Sequence, residues 1–132
     1  MDLLAHSAKP ERNIPVHTYK CHISEVIRLS GEKATRLLIY YKSELDDFLE
    51  VITAASCFHD LGKLDIKNQE VLFSGTARKL EVSHEDAGSA LLKQLNRTES
   101  AFLVFCHHRG LVSLAVETSQ KKNDYFRVIE WM

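Results

Sequence analysis

The chain has 132 residues, 45% hydrophobic and 27% charged, and 17 basic against 18 acidic side chains leave a formal net charge of −1. This composition excludes a disordered or fibrous polymer and fits one globular domain, spanning 1–132, that is long enough to bury a core. The even charge balance excludes a surface that is polycationic throughout, so any nucleic-acid binding has to come from a local patch or from metal.

Pro10 and Pro15 bracket an early loop. From Val16, the residues Tyr19, Ile23, Val26 and Ile27 recur at helical spacing up to Ser30-Gly31, a helix-stop pair, and Glu32 to Lys42 reads as a second helix. Ser43 or Glu44 opens a third, whose apolar stripe (Leu45, Phe48, Leu49, Ile52, Ala55, Ser56) ends at His59, with Gly62 as terminator. Asp65 to Phe73 forms a short helix closed by Ser74-Gly75. Ser83 caps the next, with Glu85 and Asp86 in its first turn, and that helix runs to about Leu95. Thr98 caps a helix through Ala101–Cys106 that Gly110 ends, and Asp124–Met132 is a final amphipathic segment. No stretch sustains the period-2 alternation of a strand. The predicted fold is all-α, a single compact bundle of six or seven helices.

The longest apolar runs, Leu37–Tyr41 and Ala101–Cys106, fall far short of the roughly 18 residues that span a bilayer, so no membrane partner is expected. The opening Met1-Asp2-Leu3-Leu4 lacks the basic and apolar regions of a secretory signal. Cys21, Cys57 and Cys106 are an odd number without CxxC spacing, which predicts small buried side chains in a reducing, cytoplasmic setting.

Seven histidines carry the chemistry. His22 falls on the Tyr19/Val26 face of the first helix, His59 ends the third helix beside Asp60, His84 sits in a first turn, and His107-His108 close a helix before Gly110. A single histidine on an apolar face is ordinarily a hydrogen-bonded core residue. Five converging with a carboxylate would leave several unpaired polar groups, each costing about 1–3 kcal/mol, unless a metal used their lone pairs. The run His59-Asp60-Leu61-Gly62-Lys63 sharpens this: the carboxylate has two oxygens and can bridge two ions, Leu61 packs inward, and Lys63 brings an ammonium suited to a phosphate oxygen. A nitrogen-rich donor set favours a divalent transition metal over magnesium. His17, just after Pro15, reads as surface. Lys63, Lys67, Arg78 and Lys79 are interleaved with Asp65, Glu70 and Glu81, which predicts a solvated mixed-charge face, and Arg109 is the better candidate for a nucleic-acid backbone contact. Phe48, Phe58, Phe73, Phe102 and Phe105 lie in apolar stripes and are expected in the core.

Through His22, His59-Asp60 and His84 the sequence resembles the HD superfamily of metal-dependent phosphohydrolases. It is most similar to the CRISPR-associated HD nuclease family, on Leu4-Ala5-His6-Ser7, His22, His59-Asp60-Leu61-Gly62-Lys63, Ser83-His84-Glu85 and His107-His108-Arg109-Gly110-Leu111, in family order over residues 4 to 111. The resemblance implies two ions, of manganese, nickel or cobalt. One would be held by His22, His59 and Asp60; the other by Asp60, His84, His107 and His108. It implies that Lys63 meets the scissile phosphate, that single-stranded DNA is the substrate, and that a helicase and a guide-RNA surveillance complex are partners. The family pattern also has a downstream helical Asp, and Asp124 is the only Asp after His108.

The expected activity is phosphodiester hydrolysis by a metal-activated water. Two other readings compete: an HD phosphohydrolase of nucleotides or cyclic dinucleotides, and an interaction module that keeps the ligands but not the activity.

Overall fold

The structure, a computed structural model, describes residues 2–40, 45–76, 79–107 and 110, with backbone alone at 45, 46 and 85. It opens with a hairpin where a loop was expected. β1 (Leu4–His6) and β2 (His17–Thr18) pair antiparallel, and a 3-10 turn at Pro10–Arg12 lies between them. Leu4 opposes Thr18 and His6 opposes His17, so β1 carries one residue more than β2 between the pairs. Strands this short cannot display alternation, and the bulge puts Leu4 and Ala5 both inside.

Helix α1 (Tyr19–Leu38) replaces the two helices expected on either side of Ser30-Gly31. The Thr18 hydroxyl caps it by accepting from the Cys21 amide at 3.3 Å. Gly31 costs the helix only about 1 kcal/mol relative to Ala, too little to stop it among Glu32, Lys33, Ala34 and Arg36, all tolerant of helix. Ser30 is an anchor: its hydroxyl donates to the Ile27 carbonyl at 3.1 Å and lies 2.7 Å from the Ser56 hydroxyl on the next helix.

The remaining helices follow the apolar periodicity: α2 (Leu45–Phe58), α3 (Ile66–Ser74), α4 (His84–Gln94) and α5 (Thr98–Cys106). Gly75 ends α3 in the left-handed conformation, φ 63°, as a C-terminal glycine does. The described residues therefore hold five α-helices, an all-α domain with a two-stranded hairpin. The segment Asp124–Met132, Tyr41 to Glu44 and Arg78 lie outside the description.

The core is built of small side chains. Ala55 of α2, Ala90 and Leu92 of α4, and Ala101, Val104 and Phe105 of α5 form one buried cluster. Small residues let helix backbones approach closely, and Gly88 on α4 marks the tightest point: a Cβ there would stand 1.9 Å from the Phe58 carbonyl oxygen at the end of α2. Buried hydroxyls join the same helices, Ser89 donating to Ala101 O at 3.2 Å and Ser100 to Val51 O at 3.0 Å. Phe105 is in this core, but Phe73 is exposed on α3. No helix among the described residues is long and apolar enough to cross a membrane.

Candidate metal centre

Helix α2 delivers His59 and Asp60 just past its last turn, and a 3-10 turn at Leu61–Leu64 follows. Gly62 is not the helix terminator the sequence suggested. It is a close-approach point: a Cβ there would lie 2.5 Å from His84 Cα and 2.9 Å from Ser83 O, so the missing side chain lets α4 start against the Asp60 turn. Leu61 is half-buried rather than packed inside.

Two buried amides hold this turn. Asn68 donates to Gly62 O at 2.9 Å and Val82 O at 2.8 Å, and accepts from the Val82 amide at 3.0 Å, tying the Asp60 turn to the approach of α4. Gln69 donates to Lys63 O at 2.6 Å and Leu4 O at 2.8 Å and accepts from the Leu4 amide at 2.9 Å, locking β1 to the same turn. Ser83 occupies the N-cap of α4 but makes no side-chain capping bond.

Asp60, 2% exposed, is the hub. Its Oδ2 lies 2.8 Å from Lys63 Nζ, 2.9 Å from His22 Nε2 and 3.3 Å from His59 Nε2. His84 Nε2 and His107 Nε2 lie 3.5 and 3.8 Å from Oδ1, which is buried and makes no hydrogen bond. Four imidazoles from α1, the end of α2, α4 and the end of α5 thus surround one carboxylate. The His22 and His59 Nε2 atoms are 3.2 Å apart. The donor atoms of His22, His59 and Asp60, and those of Asp60, His84 and His107, fall into two groups, each with its atoms within 4.8 Å of one another.

The orientations of two rings are set by backbone carbonyls. His59 Nδ1 is 2.9 Å from Ser56 O, and His107 Nδ1 bonds Val104 O. A carbonyl can only accept, so each ring spends its Nδ1–H on its own helix. Each ring so held turns its Nε2 toward the carboxylate, an approach that a proton or a metal cation between nitrogen and oxygen makes favourable. Backbone carbonyls holding the far nitrogen are the usual support of metal-binding histidines.

The electrostatics agree. Burial pushes the Asp60 carboxyl up, but contacts from His107, His59 and Lys63 outweigh it and hold the group well below the usual carboxylate range. Burial lowers His59, yet Asp60 and the Ser56 carbonyl win and its pKa is raised. His22 is lowered, chiefly by burial, against the pull of Asp60. Partial burial of its ring, then the Lys63 charge, takes His6 down to about 4. Tyr19, at the start of α1, is pushed up to about 12 by burial and by Asp60.

Of the residues singled out in the sequence, His22, His59, Asp60, Lys63, His84 and His107 meet here, and Lys63 is itself buried, 6% exposed. His108 and Arg109 lie outside the described residues. The reading of His17 as surface is corrected: it is half-buried, its ring 6.1 Å from that of His6 and 5.4 Å from that of His22. The sequence signal for it is weak, because only the hairpin register brings His17 opposite His6. The three cysteines are free, and none joins a potential metal group among the described residues. The chain matches no family model, no curated protein and no solved structure.

Proposed function

We propose that this chain is a metal-dependent phosphodiesterase that cleaves single-stranded DNA, the activity implied by its resemblance to CRISPR-associated HD nucleases. The observation that carries the reading is the pair of imidazoles, His59 and His107, each anchored through Nδ1 and each aiming Nε2 at a buried carboxylate. A transition-metal cation fits that arrangement, since the donors are neutral nitrogens and one carboxylate. His22, His59 and Asp60 would hold one ion, and Asp60, His84 and His107 a second, His108 being the further ligand that the resemblance implies. Manganese, nickel or cobalt are the favoured ions.

When bound, the ions would supply Lewis acidity to a phosphoryl group and acidify the attacking water. The chain's own part is to hold the ligands rigid. Lys63 keeps an ammonium at the rim of the carboxylate, where it can receive a non-bridging phosphate oxygen. A helicase and a guide-RNA surveillance complex are the partners this role requires.

The test offers single-stranded DNA, nucleotides and cyclic dinucleotides to the purified chain with manganese, nickel or cobalt. Metal-dependent DNA cleavage abolished by His59→Ala and by Asp60→Ala is the expected result. Nucleotide turnover without DNA cleavage would assign the chain to the small-molecule phosphohydrolases. Binding of one ion or none, with no cleavage, would make it an interaction module.

A further inference from the structure

A second nitrogen-donor cluster lies on the hairpin side of the centre. His6 on β1, His17 on β2 and His22 on α1 each place one ring nitrogen within 4.8 Å of the other two. Their rings are mutually close: His6 and His17 stack with centroids 6.1 Å apart, and both meet His22 edge-on, at 5.0 and 5.4 Å. We propose that this triad is a further divalent transition-metal site, distinct from the two ion positions around Asp60.

Three features support it. The first is the backbone. His6 and His17 are cross-strand partners beside the bulge in β1, and a bulge re-aims the side chain that follows it. Regular alternation would have put His6 on the face of Leu4; the extra residue leaves Leu4 and Ala5 inside and His6 outside them, beside His22 near the start of α1. The second is support from outside the triad. His17 Nε2 stands 3.4 Å from Glu25 Oε2, one of the carboxylate partners that orient ligand imidazoles. The third is donor chemistry. Three imidazoles with no carboxylate among them suit zinc, nickel, cobalt or copper and are poor ligands for magnesium or calcium. Three protein ligands leave a coordination position for water or an external ligand, and two of these residues are open enough to admit one: His6 is exposed and His17 half-exposed.

His22 is common to this triad and to the His22–His59–Asp60 group. An imidazole has two ring nitrogens, so one ring can serve both ions if it gives up its remaining N–H proton to solvent. The inference does not rest on phosphodiesterase activity, and its test measures none.

The experiment counts ions in Asp60→Asn, a near-isosteric change that removes the carboxylate from both groups at the centre and leaves the hairpin triad whole. After loading with zinc and desalting, native mass spectrometry is expected to find at least one ion per chain. Adding His6→Gln and His17→Gln should lower the count by one. In the unaltered chain, where no folding question arises, saturating zinc should protect His6 and His17 from carbethoxylation by diethylpyrocarbonate, read by peptide mapping at those two residues. An Asp60→Asn chain that retains no ion, an ion count unchanged by the loss of both hairpin histidines, or equal modification with and without zinc would each overturn the proposal.

Discussion

The contact between Gly62 and the start of α4 makes a prediction that separates the centre from the rest of the fold. In Gly62→Ala the new methyl would stand 2.5 Å from His84 Cα and 2.9 Å from Ser83 O, both backbone atoms without rotamers to swing aside. Reaching ordinary van der Waals separation requires about 1 Å of displacement between the Asp60 turn and α4, and overpacking of that kind costs about 1–3 kcal/mol. For a chain of this size that is a fall in Tm on the order of 5–10 °C. His84 Nε2 stands only 3.5 Å from Asp60 Oδ1, so the same displacement takes one ligand out of reach. Differential scanning calorimetry without metal, followed by ion counting, is the assay. Gly62→Ala should lose stability and retain the His22–His59–Asp60 ion while losing the one that uses His84. Gly31→Ala is the control: a Cβ there meets nothing within 4 Å inside α1, so it should stabilise by about 0.5–1 kcal/mol. A Gly62→Ala chain as stable as the parent and with both ions bound would refute the close-approach argument.

Asn68→Ala removes three hydrogen bonds from a fully buried amide and leaves the Gly62 and Val82 backbone groups without them; a loss of roughly 2–4 kcal/mol in urea unfolding is expected, and a loss within 0.5 kcal/mol would refute its bracing role. Lys63→Met withdraws an ammonium 2.8 Å from Asp60 Oδ2, so the chain should bind metal at least as tightly, while the proposed DNA cleavage should slow roughly ten-fold or more; unchanged cleavage would remove Lys63 from the proposed mechanism. Metal affinity should fall as pH drops from 8 to 6, because the raised pKa of His59 makes protons compete above 6.5, while Asp60 stays ionised; calorimetric affinities that are flat from pH 8 to 5 would contradict the ligand assignment. His6, lowered to about 4, stays neutral in the fold where the unfolded chain protonates it, so it makes metal-free stability fall as pH drops from 6.5 to about 4; His6→Asn should flatten that slope, and an unchanged slope would refute the assignment.

The parts legible in the sequence are those whose cause is local. The apolar stripe of α2 and its end at His59, the Ser74-Gly75 stop of α3 and the start of α4 at Ser83 all follow from side-chain periodicity and end preferences within a few residues. Ser30-Gly31 misled for the opposite reason: its hydroxyl is engaged 26 positions away, at Ser56, and a long-range bond overrode a local stop signal. The hairpin was invisible because two and three residues carry no period, and with it the placement of His17. At the centre, the residue types and their helical phase pointed to His22, His59, Asp60 and His84. What periodicity could not show is that Gly62 serves α4 rather than the turn, or that Asn68 and Gln69, two ordinary amides on a short helix, brace the carboxylate's loop.

The bond between Gln69 and Leu4 spans 65 positions. Until the ribosome has released α3, the first strand has only β2 and the start of α1 to lie against, and the aspartate's loop lacks both of its amide braces. Assembly of the ion pocket is therefore a late event that needs both ends of this stretch at once. A trimmed start ahead of Ser7 would therefore be felt at the Asp60 turn as well as at β2 and α1, because Leu4 reaches that turn through Gln69.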